Sequence, residues 1–225
     1  MHIQIDPKVL SRAIRACAIA SFNPPKSARA DDRPALRGVL LQALRGGQLD
    51  VVGTDGRWLA RYRTDVSIVM SIVSTTTCNG AVIEPASIKP LCAWLDMHGD
   101  DELVRINVGP VAEARSERGG ALVFATRDAD QYPRYDQVIP DNAHGKGAPV
   151  VGFDGALLSE VVEAFRIASG VKRGRMMPLM FQFGAGAKAN DPAIVTCPSA
   201  PDMIAVVMPL TQHAVGQYSL TTERA

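Results

Sequence analysis

The chain has 225 residues, enough for one large domain or two smaller ones with an ample core. Its 24 Lys and Arg nearly balance 23 Asp and Glu, so it lacks the basic excess of many dedicated nucleic-acid binders, and any DNA contact must come from local asymmetry. Four scattered cysteines without a CxxC pair (Cys17, Cys78, Cys92, Cys197) argue against a zinc site or a disulfide framework and fit a reducing cytosol.

The N-terminal "MHIQIDPKVL" has no apolar stretch of signal-peptide length, and no run reaches the roughly 18 apolar residues of a membrane span. The expectation is a soluble, cytoplasmic protein. A short strand, "HIQI", precedes a helix predicted from about Asp6 to Ser21. Asp6 can cap it, with Pro7 at its first position. Leu10, Ala13, Ile14 and Cys17 follow the helical period and mark its buried stripe. The Pro-rich "FNPPKSARADDRP" ends the helix, and strand-like runs follow: "GVLLQAL", "QLDVVGT" and "WLARYRTDVSIV", separated by Gly-Gly and Asp-Gly turns.

A second unit starts at "GAVIEP" (80–85), with Ser87 as cap for a helix carrying Ile88, Leu91, Cys92 and Leu95. Strand candidates "ELVRINV", "VAEARSE" and "ALVFAT" follow it. A third starts at "APVVGF" (148–153), where Asp154 caps a helix with Leu158, Val161, Val162, Phe165 and Ala168; "PLMFQF", "PAIVTC" and "MIAVVMPL" complete it. Three such units at roughly 70-residue spacing predict an α+β fold of repeated β-α-β-β-β units. Residues 128–149, rich in Pro, Gly and polar side chains, form a boundary segment, and residues 211–225 form a tail.

Signatures of catalysis are scarce. The four histidines lie far apart, with no metal-ligand spacing, no G-x-S-x-G elbow and no Walker A loop. "GAGAKA" (184–189) fits a dinucleotide fingerprint formally, but "NDPA" follows where a helix must open, so it reads as a turn. Asp55 lacks a second titrating group for acid-base work and reads as a hairpin residue. Trp58, next to that turn, is either a core side chain or an exposed interface anchor. Lys8, Arg12 and Arg15 share the helix face opposite the apolar stripe, and Lys172, Arg173 and Arg175 cluster after the third helix. Such cations are either a phosphate-attracting surface or an ordinary solvated face. The residues suggest neither metal nor cofactor.

Several motifs occur in an order that resembles the bacterial beta sliding clamp of DNA polymerase III. They are Arg33-Pro34, Gly38 to Leu41, Thr54-Asp55-Gly56-Arg57-Trp58-Leu59-Ala60, "YPRYDQVIP" (132–140) and "IAVVMPL" (204–210). The "GFDGALLSEVVEAF" stretch is also similar to the second half of that family's last domain. The resemblance implies a complete clamp-like domain over 1–143, a half domain over 148–210, sheets outside, and helices facing a DNA channel. It also implies a non-enzymatic role, tethering polymerase and repair proteins to double-stranded DNA, as a homo-oligomer. The family's pocket between its last two domains takes short partner peptides. Carried over, that pocket uses Thr54, Gly56, Arg57, Trp58, Leu59, Pro140, Val206, Met208, Pro209 and Leu210. DNA contact falls to Lys8, Arg12, Arg15, Lys172, Arg173 and Arg175.

The departures are specific. Set against the resemblance, these 225 residues are expected to lack a counterpart of the family's first domain and to carry three repeat units where a full clamp protomer carries six. Arg57-Trp58 stands where the family usually has His-Arg. The alternative reading is a clamp-derived interaction module that binds partners without encircling DNA.

Overall fold

Asp6 starts the first helix as its position predicts. In the computed structural model, which describes residues 2–21, 33–70, 80–99, 102–108, 111–139, 151–173, 175–184 and 191–210, β1 (His2–Ile5) leads into α1 (Pro7–Ala18). Asp6 Oδ1 accepts from the backbone N–H groups of Lys8 and Val9 at 2.7 and 3.2 Å. Asp6→Ala is therefore expected to lower stability by about 1 kcal/mol, seen as an earlier thermal melt. The stripe of Leu10, Ala13, Ile14 and Cys17 is wholly buried, and burial pushes the Cys17 thiol up to about 12, which leaves it an inert packing group.

Four strands follow: β2 (Val39–Leu44), β3 (Gln48–Thr54), β4 (Trp58–Asp65) and β5 (Ser67–Met70). The second unit holds β6 (Gly80–Ile83), α2 (Pro85–Asp96), β7 (Val104–Asn107), β8 (Ala112–Ser116), β9 (Ala121–Phe124) and β10 (Thr126–Asp128). The third holds α3 (Gly155–Ser169), β11 (Met180–Phe183), β12 (Ala193–Thr196) and β13 (Met203–Val207).

Two runs expected as single strands are split. "WLARYRTDVSIV" divides at Val66, whose N–H is held by Gly47 O at 2.7 Å, and "ALVFAT" divides at Ala125, whose N–H is taken by Ser87 Oγ at 2.9 Å. Each half joins a different sheet, and alternation of side chains carries no record of such a switch. Ser87 is accordingly not the cap of α2; the helix opens one residue after Glu84 with Pro85 in its first turn, where the missing N–H costs nothing. "APVVGF" forms no strand over residues 151–153. Gly152 O instead accepts from Leu210 N at 2.8 Å.

All pairing is antiparallel. A five-stranded sheet runs β5-β1-β7-β8-β9, and an eight-stranded sheet runs β10-β6-β2-β3-β4-β13-β12-β11. The helices cover one face, with α1 packed against both α2 and α3. The main core lies between helices and sheets: Leu49, Val51, Trp58, Ala60 and Tyr62 point inward with Phe165 and Val161 of α3. Gly53 also faces α1, where the helix backbone at Cys17 comes so close that a side chain has no room. Pro140, residues 22–32 of the Pro-rich stretch after the first helix, residues 185–189 of "GAGAKA", Cys78, His144, His213 and the 211–225 tail lie outside the described residues.

Candidate partner-binding site

Strand alternation places a second, smaller apolar cluster on the outer face of the large sheet. Leu40, Val52, Leu59, Val82 and Val206 form its floor, and Tyr132 and Tyr135 cover it, with Ala129 and Ile139 packed alongside. The expected boundary segment is thus, over 129–139, an integral layer of the fold. Tyr132 Oη donates to Val52 O at 3.1 Å, so its ring is buried without stranding the hydroxyl.

At one end of this face the β3–β4 turn is tightly tied. Thr54 Oγ1 donates to Trp58 O at 2.7 Å and accepts from Gly56 N at 3.1 Å. Asp55 Oδ1 accepts from Arg57 N and Trp58 N at 2.8 and 3.1 Å, and Asp55 Oδ2 takes Arg57 Nε at 2.9 Å. The carboxylate is consumed by its own loop, a side-chain-closed turn that Asp favours. Gly56 supplies the positive φ of 88° that the turn needs.

Register then brings the two ends of the chain together. Leu59 lies opposite Val206 and Trp58 opposite Val207, and Met208 N donates to Arg57 O at 3.2 Å. Thr54, Gly56, Arg57, Leu59, Val206 and Met208 therefore share one neighbourhood. Pro209 and Leu210 continue from it, Leu210 held to Gly152. Met208 is 42% exposed, a side chain available to a partner. Trp58 is the correction. Its ring is buried among the helices, with Nε1 donating to Glu160 Oε2 of α3 at 3.1 Å, so it anchors the core and does not line an outer pocket. Leu36 and Arg33 join the rim instead, since both lie within van der Waals range of a Cβ built at Gly56.

One polar feature of this face has no counterpart in the sequence motifs. Asp50, fully buried, takes a two-point bond from Arg63 (Nε to Oδ1 2.7 Å, Nη2 to Oδ2 2.8 Å) and a third from Tyr135 Oη at 2.9 Å. A lone carboxylate inside the apolar run "QLDVVGT" was its only sequence signal.

The helix face carries the cations. Lys8, Arg12 and Arg15 are exposed on α1, and Lys172, Arg173 and Arg175 are exposed beyond α3. Arg15 pairs with Asp96 of α2, and Arg173 lies 3.9 Å from Glu163. Among the described residues no three or more His, Cys, Asp and Glu side chains converge as a metal site, and no helix is long and apolar enough to cross a membrane. A Ser116–Glu102–His98 cluster does form, but the serine hydroxyl donates to the carboxylate and not to the imidazole. That order differs from a Ser–His–carboxylate triad, in which the imidazole takes the serine proton, and the serine's bond holds the Glu102 carboxyl below its usual range.

No family model and no curated protein matches the sequence. Solved structures do match the fold. The DNA polymerase sliding clamp from Pseudomonas aeruginosa superposes with a TM-score of 0.68 at 18% identity, over 94% of this chain and 66% of that one. The DNA polymerase III beta subunit from Thermotoga maritima gives 0.68 at 13%, over 94% and 65%. The Caulobacter crescentus pol III beta gives 0.59 at 20%, over 93% and 65%. The chain has the sliding-clamp fold. It spans just under two thirds of the length of these clamps, and its two antiparallel sheets with one helix layer match their fold.

Proposed function

We propose that this clamp-fold protein tethers replication or repair partners, holding the apolar anchors of a short partner peptide at the Leu59–Val206–Met208 end of the large sheet. The observation that carries the reading is the β4–β13 register. It joins two motifs far apart in sequence into one surface with an apolar floor, an exposed methionine and, at the rim, an exposed Arg57 paired with Asp55. Thioether side chains adapt to several ligands, and a few anchors dominate such interfaces. Pro140 belongs to the same proposed site. DNA contact by Lys8, Arg12, Arg15, Lys172, Arg173 and Arg175 is the secondary part of the proposal, supported by their common exposure on the helix side. Homo-oligomerisation is supported by sheets that end on β9 and β11, where Val123, Met180 and Phe181 are exposed.

Met208→Ala is expected to weaken binding of a clamp-motif peptide about tenfold, the loss of one anchor worth over 1 kcal/mol, with an unchanged thermal melt. Equal affinity in the folded variant would sink the site. Adding Leu59→Ala deepens the loss, but Leu59 is 4% exposed and its truncation also costs about 2–5 kcal/mol of stability, so the single change is the cleaner measurement.

The second reading, an interaction module that does not encircle DNA, is favoured by the ion pairs that already engage Arg15 and Arg173. Oligomeric mass, measured with retention on closed circular DNA at rising salt, separates the two. A strict monomer that slips off circular DNA supports the module; a ring-sized oligomer retained on circles and released by linearisation supports the clamp.

A further inference from the structure

Alongside the apolar cluster, and partly lined by its Leu40, Tyr132 and Tyr135, the outer face holds a cavity of about 680 Å³ whose polar wall includes Gln42, Arg61, Arg63 and Arg134. A second cavity of about 410 Å³, at the Pro201–Ile204 side, shares Arg61 and Arg63. The two arginines sit two residues apart on β4 and differ sharply. Arg63 is paired with Asp50 at two points. Arg61 makes no hydrogen bond or ion pair with any described residue, and its Nε is buried. Its partners across the ladder are Val52 on β3 and Ile204 on β13, so the guanidinium rises from an apolar floor with a like charge beside it. Burial first, and then Arg63, pull its proton affinity below the usual arginine value.

Arg61 lines both cavities without a carboxylate ion-paired to it among the described residues, and a planar guanidinium is shaped for an oxyanion. We propose that Arg61 anchors a small oxyanion group, a phosphate or a carboxylate, in these cavities. Arg134 and Gln42 supply further donors from the wall of the larger one. Asp130 and Asp136 line that same wall, and they repel an extended acidic chain while leaving room for a single anionic group at Arg61. The site adjoins the Leu59–Val206–Met208 surface across the same apolar cluster, and the anion titration is made without peptide so that its outcome is read independently of the peptide site.

The test titrates the full chain with inorganic phosphate and, separately, with succinate, at constant ionic strength, following the Arg61 Nε–H resonance. Saturable shifts are expected by about 10 mM, above the millimolar affinity of one charge-assisted contact. Saturation by phosphate alone assigns a phosphate group, by succinate alone a carboxylate, and by both a general oxyanion site. Arg61→Gln is expected to abolish saturable binding, whereas Arg45→Gln, on the exposed β2–β3 turn, leaves it intact. Equal binding by Arg61→Gln, or by neither anion in the unsubstituted chain, overturns the proposal. Should Arg61→Gln not fold, the unsubstituted resonance decides: an Nε–H signal unmoved by both anions overturns it, and a saturable shift supports it.

Discussion

Gly53→Ala is expected to cost about 3 kcal/mol or more, the upper range for overpacking a well-filled core. A Cβ at this position would lie 1.9 Å from Cys17 O and 2.8 Å from its carbonyl carbon. Both are backbone atoms near the end of α1, so no side-chain rotation relieves the clash; helix and sheet must separate. Ser21 Oγ lies 3.3 Å from the same point and donates to Gly38 O at 2.6 Å, so the displacement would also break a tie between helix end and β2. Denaturant unfolding followed by circular dichroism measures the loss. Gly155→Ala, in the open first turn of α3 with nothing within 4 Å, is the control and is expected to be neutral or slightly stabilising. Equal stability of Gly53→Ala and Gly155→Ala would show that the close approach of α1 to β3 is wrong.

Arg63→Met carries the second large effect, about 3–5 kcal/mol, because it strands the fully buried Asp50 with Tyr135 as its remaining partner. Arg63 is itself 37% exposed, which draws the value toward the lower end. Asp50→Leu combined with Arg63→Met removes both charges and leaves one hydroxyl without its acceptor. That double variant is expected to recover most of the loss, since an apolar pair replaces a buried ion pair at little net cost. A double-mutant cycle in urea checks this. If Arg63→Met alone matches the parent, the two-point bond does not support the sheet.

The elements were legible in the sequence because capping residues and periodicity are local. Asp6, Pro7 and the Leu10–Cys17 stripe define α1 without knowledge of any partner. Sheet membership was not legible: the switch at Val66 leaves the alternation of "RYRTDVSIV" uninterrupted while its two halves join different sheets. Of the candidate site, part of the residue neighbourhood was legible. The motifs located Thr54, Leu59, Val206 and Met208, but carrying over consecutive residues ignored the two-residue period of a strand. Leu59 and Trp58 cannot share a face, and Trp58 belongs to the core. The covering layer was missed because Pro133, Arg134 and Asp136 make it read as linker, whereas Tyr132 and Tyr135 bury aromatic rings and spend their hydroxyls on Val52 O and Asp50.

The β4–β13 pairing has a consequence for synthesis. Until β13 leaves the ribosome, β4 has β3 on one side and nothing on the other, with Trp58 and Tyr62 still lacking α3 and the strands beyond it. Domains emerge from the N-terminus first, and a strand with one bare edge is a template for pairing with other chains, which the charges of Arg61, Arg63 and Asp65 on β4 counteract. The nascent protein therefore carries an unpaired β4 edge, guarded by its charges, for as long as its third unit takes to be made.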